Sequence, residues 1–365
     1  MNNFELLTKP SIREIEKYLP GESLLNETKG IIKLSSNESP FSIPKKICNR
    51  AKNLVLSSNI YPDGDSFLLK GAIAKKFNLN SENIICGNGS DDILSIIAQT
   101  FSTNKCEVIC SEFGFIYYPI IARASGCKVV TAPSENLGVS CGNILRLVTK
   151  KTKIIFFANP NNPTGTIIFK DELINFLKRL PKNIIVVLDG AYSEFIVDKR
   201  YTDGLDLVEN FENLIITRTF SKIFALAGLR IGWGYANKKI IELLEKIRGP
   251  FNVNVLAQNF GKLILEEKDF LKKSILHNEK WRKSLPKKLN SLGLKSFETF
   301  ANFVLVKVDS NKFSKKRILK LLKEKNILVR DLDNYGLLDY FRVSIGTSPE
   351  LNKFLKELRS IILGK

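Results

Sequence analysis

The feature that most constrains the fold is a regular alternation of apolar β-type runs with amphipathic helical patterns through the middle of the chain. The β-type runs are residues 106–110, 128–131, 153–158, 183–188 and 213–217. Helical patterns at residues 115–125 and 169–180 separate some of them. Parallel strands need crossover connections, and these are usually helices, so the alternation indicates a largely parallel sheet. The sequence therefore predicts an α/β fold, in which ligands bind at the carboxyl ends of the strands.

A lysine-containing segment follows the last of these runs. Residues 217–234, TRTFSKIFALAGLRIGWG, place Lys222 after Thr219 and Ser221, with Arg230 eight positions further on. The residue types allow three interpretations. The segment is a loop with a solvated lysine, or an anion site to which the two hydroxyls and the guanidinium donate. In the third interpretation, Lys222 is also a covalent amine beside that anion.

Polar loops follow other β-type runs. Residues 159–165, NPNNPTG, cannot continue a strand because proline lacks an N–H and restricts its neighbour. Asp189 directly follows a buried-type run, where a desolvated carboxylate needs a cation. Residues 87–91, GNGSD, open a helix whose first N–H groups can point at an anion, and the glycines permit positive φ. Asp91 can cap that helix instead.

The lysine segment, SK-x-x-x-LAGLR-x-G, resembles the cofactor-lysine segment of the fold-type-I aminotransferases that depend on pyridoxal 5'-phosphate (PLP). Within this class II aminotransferase family it resembles the histidinol-phosphate aminotransferase branch. The resemblance runs from about residue 33 to the C-terminus, and NPNNPTG and FRVSIGT (341–347) agree with it in order. It implies a large domain, residues 33–250, with a mostly parallel seven-stranded sheet flanked by helices. A smaller α+β domain, residues 251–365, and an N-terminal arm, residues 1–32, complete the expected organisation. The residue pattern predicts a short helix at residues 12–18 in the arm, followed by a Pro20-Gly21 turn, and a long helical region at residues 255–292 in the smaller domain.

The resemblance also implies how PLP is held. Lys222 would bind it covalently, and Asp189 would keep its ring nitrogen protonated. Asn162 and Tyr192 would contact the ring oxygen, and Phe115 would stack on the ring, although an aromatic at a helix start is more often a core residue. The implied catalytic residues are Lys222, Asp189 and Tyr192. The remaining implied cofactor contacts are Gly89, Ser90, Asp91, Thr219, Ser221 and Arg230.

The sequence departs from the family pattern at three places. Ser39 replaces the second asparagine of an N-E-N-P segment, and Phe113-Gly114 replaces a proline-threonine pair before Phe115. Gly190 replaces a residue that is more often glutamate or alanine, and we expect this replacement to have little effect.

Substrate contacts are implied in the same way. Arg342, in FRVSIGT, would hold a carboxylate through two parallel hydrogen bonds. Arg330 and Arg342 would also hold a substrate phosphate, with Tyr18 nearby. From the residues alone we would expect surface positions for the two arginines, and a surface position is an equal alternative for Tyr18. Asn37, in LSSNESP, and Asn302, in ANFVLV, would line the substrate pocket.

Tyr61 lies in a YPDG turn. The resemblance implies that this tyrosine reaches the cofactor phosphate of a neighbouring subunit, so the protein would be a homodimer. Packing within the turn is the alternative interpretation.

The expected reaction is transamination between L-histidinol phosphate and 2-oxoglutarate, which gives imidazole-acetol phosphate and L-glutamate. Lys222 would move the proton as general base and acid. Two alternatives share the fold: an aminotransferase for aromatic or other amino acids, and a decarboxylase of a phosphorylated amino acid. A PLP-binding regulatory domain without catalysis is the non-enzyme alternative.

Composition excludes other classes. The net charge of +19 could indicate nucleic-acid binding, but the lysines are scattered and form no basic block with interleaved aromatics. No apolar run approaches the roughly 18 residues of a membrane helix, and the N-terminus lacks the apolar core of a signal peptide. We therefore expect a cytoplasmic protein that binds neither nucleic acid nor membranes.

Cysteine and histidine usage shows no metal-ligand motif, so we expect no metal site. The six cysteines show no CxxC motif and are expected to be reduced core residues. His277, the single histidine, lies in a charged helical stretch and is expected to face solvent.

Overall fold

A computed structural model describes residues 7–19, 30–103 and 105–364, apart from the side chains of residues 51, 52 and 57. The Pro20-Gly21 turn expected after the arm helix lies outside these ranges. The strands are β1 (Ile32–Leu34), β2 (Ile84–Gly87), β3 (Glu107–Ser111), β4 (Lys128–Ala132), β5 (Thr152–Ala158), β6 (Ile185–Asp189), β7 (Leu214–Thr219), β8 (Gly232–Tyr235), β9 (Lys295–Ser296), β10 (Phe303–Lys307), β11 (Ile327–Asp331) and β12 (Tyr340–Ser344).

The helices flank and connect these strands. They are α1 (Pro10–Arg13), α2 (Lys45–Ala51), α3 (Phe67–Phe77), α4 (Ser90–Phe101), α5 (Tyr117–Ala124), α6 (Cys141–Leu147), α7 (Lys170–Arg179), α8 (Lys238–Glu245), α9 (Val255–Ile264), α10 (Lys268–Asn290), α11 (Lys315–Glu324) and α12 (Ser348–Ile362). Within the described residues, no helix is both long enough and apolar enough to cross a membrane.

The larger sheet confirms the predicted α/β fold. Its seven strands follow the order β2-β8-β7-β6-β5-β3-β4, and every pair is parallel except the two that involve β8. Ala158 is paired with Asp189, and Asp189 with Thr217. The carboxyl ends of β5, β6 and β7 therefore meet at one edge of the sheet.

Both faces of this sheet are covered, which explains the nearly continuous apolar runs. Successive side chains of a strand point to opposite faces. Ile155 and Phe157 pack in the core on one face, and Ile154 and Phe156 pack in the core on the other. The apolar runs thus fix a rigid layer beneath the polar edge.

The smaller sheet has the order β1-β11-β12-β10-β9 and packs on α10, α11 and α12 around its own core. β1 belongs to this sheet, where it lies parallel to β11, although it falls at the start of the predicted large domain. The division at residues 33–250 and 251–365 stays a proposal.

Two helical expectations need correction. The single helical region expected from Val255 to Leu292 is two helices, because the chain leaves helical geometry between Ile264 and Lys268. The arm helix expected at residues 12–18 is the short α1, Pro10–Arg13. Pro10 is at its first turn, where the missing N–H costs no hydrogen bond.

Two expectations about side chains were also wrong. Cys106 and Cys127 form a disulfide, because they directly precede the neighbouring parallel strands β3 and β4, with Cα atoms 5.1 Å apart. His277 does not simply face solvent: its Nε2 lies 2.8 Å from the Gly346 carbonyl oxygen, and its ring packs edge-on against Phe41.

Candidate active site

A cleft of about 380 Å³ lies at the carboxyl edge of the large sheet, between it and the smaller sheet. Most of the residues singled out from sequence line it. These are Tyr18, Asn37, Ser90, Asp91, Phe115, Asn162, Asp189, Tyr192, Thr219, Ser221, Lys222, Arg230, Arg330 and Arg342. They come from both ends of the chain, so the fold brings together residues as distant in sequence as Tyr18 and Arg342.

Lys222 lies three residues beyond β7, at the base of this cleft. Its Nζ donates to the Ser36 carbonyl oxygen at 3.2 Å and lies 5.9 Å from the centre of the Tyr192 ring. Burial, with a further contribution from Arg342, lowers the pKa of Lys222 to about 8. An amine with this pKa is partly unprotonated near neutral pH and can serve as nucleophile and base.

Asp189 ends β6 and is buried. Its Oδ2 accepts a hydrogen bond from the Tyr118 hydroxyl at 2.8 Å, and its Oδ1 accepts one from Thr217 at 3.2 Å. Burial raises the pKa of Asp189 to about 6, although these two hydrogen bonds favour the charged form. Among the described residues this carboxylate has no cationic partner within ion-pair distance. A buried carboxylate in this state suits a bound cation.

The start of α4 forms an anion cradle with the lysine segment. Gly89 has φ +87°, and a Cβ there would lie 2.5 Å from Nη2 of Arg230. Arg230 Nη1 donates to Ser221 Oγ at 3.4 Å, and Thr219 Oγ1 donates to the same oxygen at 2.9 Å. Hydroxyls, a guanidinium and the N–H groups of a helix start therefore converge on one small volume.

Asp91 does not cap α4, contrary to the alternative considered from sequence. The cap position is Gly89, without a side-chain cap, and Asp91 instead forms an ion pair with Arg230 at 3.3 Å. Partial burial raises the pKa of Asp91, and Arg230 opposes this effect. The pair orients the guanidinium over the cradle.

Two groups can donate to an oxygen above the lysine. The Tyr192 hydroxyl accepts a hydrogen bond from Asn37 Nδ2 at 3.0 Å, so its own proton remains available. Asn162 Oδ1 accepts from Arg342 Nη1, which leaves the Asn162 Nδ2 group to donate. Burial raises the pKa of Tyr192, which keeps the hydroxyl protonated.

The smaller sheet and the arm supply the opposite wall. Arg342 is 5% exposed, and its Nη2 donates to the Ser35 carbonyl oxygen at 2.9 Å. Its Nε is buried and has no hydrogen-bond partner among the described residues. Arg330 Nη2 donates to the Leu19 carbonyl oxygen at 2.8 Å. The predicted aromatic, Phe115, faces the cleft and contacts the ring of Tyr18 edge-on.

Three predicted residues do not line the cleft. Gly89 lies just behind Arg230. Asn302 is buried and donates to the Asn37 carbonyl oxygen at 3.0 Å, so it supports the pocket wall from behind. Tyr61 is 79% exposed and stacks on Phe251, with ring centres 4.6 Å apart, outside the cleft.

Several residues in or behind the cleft were missed from sequence. Tyr118 and Thr217 hold Asp189, and Ser36 accepts the lysine hydrogen bond. Glu38 and Tyr335 line the cleft. Thr217 could have been found from the two-residue period of β7, since it shares a face with Thr219. The others depend on contacts between distant elements that no local pattern encodes.

The donor set fits PLP. Lys222, whose pKa is lowered, can bind the aldehyde of PLP. The buried Asp189 carboxylate, which lacks a cationic partner among the described residues, can face the ring nitrogen. The anion cradle, with a glycine at its cap position, leaves room for the phosphate. Each feature is a property of this chain's own side chains, and together they define a fold-type-I PLP-dependent transferase.

Comparison with known proteins agrees with this class. The family model for aminotransferase class I and II matches residues 29–358. A histidinol-phosphate aminotransferase of Pelagibacter ubique is 41% identical over 358 residues, which cover 97% of this chain and 99% of that protein. The chain therefore belongs to the class I and II aminotransferases, in their histidinol-phosphate aminotransferase branch. Membership confirms the predicted enzyme class, a PLP-dependent aminotransferase.

Solved structures agree on the fold. The histidinol-phosphate aminotransferase of Clostridium acetobutylicum superposes with a TM-score of 0.85 at 27% identity, covering 92% of this chain and 100% of that one. The enzyme from Sinorhizobium meliloti, solved in complex with pyridoxal-5'-phosphate, gives 0.85 at 23% identity and 91% coverage of both chains. The roles assigned to individual site residues stay predictions.

Proposed function

We propose that the enzyme transfers the amino group of L-histidinol phosphate to 2-oxoglutarate, giving imidazole-acetol phosphate and L-glutamate. The observation that carries this proposal is the position of Arg330 and Arg342 across the cleft from Lys222 and Asp189. Two guanidinium groups suit an anionic substrate with more charge than a single carboxylate. The names of the relatives at 35–41% identity support the same substrate.

Each side chain has a defined task in this proposal. When bound, PLP supplies an electron sink for the charge left when the substrate Cα–H bond breaks. Asp189 would hold the cationic ring nitrogen, and Tyr118 and Thr217 fix the carboxylate by donating to it. Tyr192 and Asn162 would donate to the ring oxygen. Nζ of Lys222 removes the Cα proton as its free amine, which burial makes available near neutral pH.

A half-reaction tests the substrate. PLP-loaded enzyme is mixed separately with L-histidinol phosphate, phenylalanine, glutamate and O-phosphothreonine, and conversion of the cofactor to its amine form is followed by absorbance. We expect the highest kcat/KM for histidinol phosphate and no release of CO2. Phenylalanine reacting as fast as histidinol phosphate would contradict the proposal, and CO2 release from O-phosphothreonine would indicate a decarboxylase.

We also propose that the enzyme is a homodimer. Exposed apolar side chains cluster on two segments, residues 55–68 and 247–251. The ring of Tyr61 stacks on that of Phe251 and so brings the two segments into contact. The exposed side chains are Val55, Leu56, Ile60, Tyr61, Phe67, Leu68, Ile247 and Phe251. A cluster of exposed apolar side chains of this kind is typical of a subunit interface. Tyr61 would then approach the anion cradle of the second copy.

Complementation between two inactive variants tests this arrangement. Lys222→Ala and Tyr61→Ala chains, carrying different tags, are mixed after unfolding and refolded together. If Tyr61 acts across the interface, the mixed dimer contains one site with a native Lys222 and a native Tyr61, and it regains the activity that both parent dimers have lost. Mixed dimers no more active than the Tyr61→Ala parent would show that Tyr61 has no such role.

The cytoplasm stays the proposed compartment. Four of the six cysteines, Cys48, Cys86, Cys110 and Cys141, are free thiols, as a reducing compartment favours. Fractionation of the source cells with an antibody to the protein would test it, and recovery outside the cytoplasmic fraction would contradict it.

A further inference from the structure

Tyr335 is a cleft residue that neither the motifs nor the resemblance pointed to. It lies in a 3-10 turn, Asp333–Tyr335, between β11, which carries Arg330, and β12, which carries Arg342. The side chain is 8% exposed and lines the same cleft as both arginines. No described residue forms a hydrogen bond with its hydroxyl. Burial raises its pKa against the opposing effect of Arg342, so the hydroxyl stays a donor.

The arginines of this wall are already partly engaged. Two nitrogens of Arg342 donate to Asn162 and to the Ser35 carbonyl oxygen, and Arg330 donates to the Leu19 carbonyl oxygen. A carboxylate offers two oxygens, which one guanidinium can satisfy with parallel hydrogen bonds. A phosphate monoester offers three terminal oxygens and up to two negative charges, so it needs further donors. A protonated hydroxyl in the cleft that both arginines line supplies a further donor.

We propose that Tyr335 determines specificity for a phosphorylated substrate by donating its hydroxyl hydrogen to a phosphate oxygen held between Arg330 and Arg342. This inference rests on the proposed function and extends it, because it names the side chain by which the site distinguishes a substrate phosphate from a carboxylate. The same hydroxyl has little to contribute to an amino acid whose carboxylate Arg342 satisfies.

The turn that carries Tyr335 is firmly held. Nζ of Lys315, a buried lysine at the start of α11, lies 2.7 Å from Asp331 Oδ1 and also contacts Asp333. Leu332, between the two carboxylates, is fully buried, and Gly336 ends the turn with φ +75°. The tyrosine is therefore positioned before substrate arrives, whereas Tyr18 is 40% exposed on the arm. Preorganisation of this kind avoids an ordering cost on binding.

Tyr335→Phe tests the proposal, because it removes the hydroxyl and keeps the ring. Tyr340→Phe is the matched control: Tyr340 belongs to the same hairpin, stacks on Phe297 and does not line the cleft. In the PLP-loaded enzyme, we expect Tyr335→Phe to raise KM for histidinol phosphate by about tenfold or more, the effect of one hydrogen bond to a charged group. We expect KM for glutamate to change less than twofold, and kcat to stay within about twofold. The control should change neither.

Competitive inhibition by inorganic phosphate, measured with glutamate as donor, separates this inference from the proposed function. Tyr335→Phe should weaken phosphate inhibition by about the same factor even if histidinol phosphate proves not to be the substrate. An equal rise in KM for glutamate and histidinol phosphate, or phosphate inhibition identical to the parent enzyme, would overturn the role of Tyr335.

Discussion

Burial raises the pKa of Asp189 and lowers the pKa of Lys222. Asp189 is held closer to its neutral form, and Lys222 closer to its free amine. Each shift costs stability in the protein alone and is relieved by a ligand that supplies the missing charge or bond. Perturbed groups that share one cleft are typical of catalytic sites. At this scale the sequence identified both residues: Asp189 from its place after a buried-type apolar run, and Lys222 from a segment that resembles the cofactor-lysine segment of the family.

The titration of Asp189 predicts how cofactor affinity depends on pH. Only the charged carboxylate attracts the cationic ring nitrogen, and the pKa of Asp189 in the cofactor-free protein is about 6. Affinity for PLP should therefore be maximal above pH 6 and fall as the pH drops through 6, approaching about tenfold per unit. The measurement is the dissociation constant of PLP between pH 5 and 8.

Asp189→Asn is the control for this prediction, since the phosphate of PLP also titrates near pH 6. The variant keeps the phosphate titration and loses that of the carboxylate, so its profile should be flatter and its affinity at pH 8 lower. Identical pH profiles for the two proteins would contradict a role for Asp189 in holding the ring nitrogen.

Other residue roles could not be predicted from the sequence. Tyr118 contacts Asp189 only because β3, β5 and β6 are neighbours, with α5 packed over them, and a single sequence does not give that order. Tyr335 was missed because a tyrosine in a short turn matches no motif. Asn302, expected in the substrate pocket, supports Asn37 from behind, which a motif match cannot distinguish from direct contact.

At the scale of elements, Gly190, which follows β6, packs closely against the side chain of Arg218 in β7. The chain turns at Gly190, and the buried Arg218 side chain passes over it toward Glu194 and Asp203, at 3.3 and 3.2 Å. A Cβ on residue 190 would lie 2.6 Å from Ser193 Oγ and 3.0 Å from Arg218 Cδ. From the sequence we expected glycine at this position to have little effect, whereas the structure supplies a steric reason for it.

Gly190→Ala should therefore destabilise the protein by about 1–3 kcal/mol, the usual range for overpacking. The measurement is the free energy of unfolding in urea. Gly71→Ala is the matched control, because Gly71 lies in α3 with nothing within 4 Å of an added Cβ. The control should stabilise the protein by about 0.5–1 kcal/mol through helix propensity. Equal stability of Gly190→Ala and the parent would contradict the steric account.

Element boundaries were predictable where pattern and chemistry agree. β5 and β6 were expected within about two residues of their observed limits, since both are uninterrupted apolar runs ended by polar loops. The break between α9 and α10 was missed, because residues 265–267 include neither proline nor glycine. The addition of β1 to the smaller sheet was also missed, since a parallel partner almost three hundred residues away has no local signature.

At the scale of the whole molecule, the cleft is built from both ends of the chain, but one expected contributor faces away from it. Tyr61 lies on the exposed apolar surface with Leu56 and Phe251. This arrangement is consistent with a second copy covering that surface and receiving Tyr61. Dimer formation and cofactor binding would then be coupled, because association would complete the anion cradle.

Leu56→Asp should separate the subunits. Leu56 is 81% exposed, and a carboxylate in the centre of an apolar interface would be left without a partner. We expect the molar mass measured by light scattering to fall to that of one 41.2 kDa chain, with reduced PLP affinity. Val197→Asp, at a residue 56% exposed and outside the apolar surface, is the control and should leave the mass unchanged. A Leu56→Asp dimer of native mass would place the interface elsewhere.

The central claim, that Lys222 is the covalent anchor of PLP, is tested most directly by chemical trapping. Protein loaded with PLP is reduced with borohydride, which makes the lysine–cofactor bond permanent, and the digested peptides are analysed by mass spectrometry. The structure predicts one phosphopyridoxyl group per chain, on Lys222, because burial gives this lysine a free amine at the base of the cleft. Stoichiometric modification of a different lysine, with Lys222 unmodified, would contradict the account.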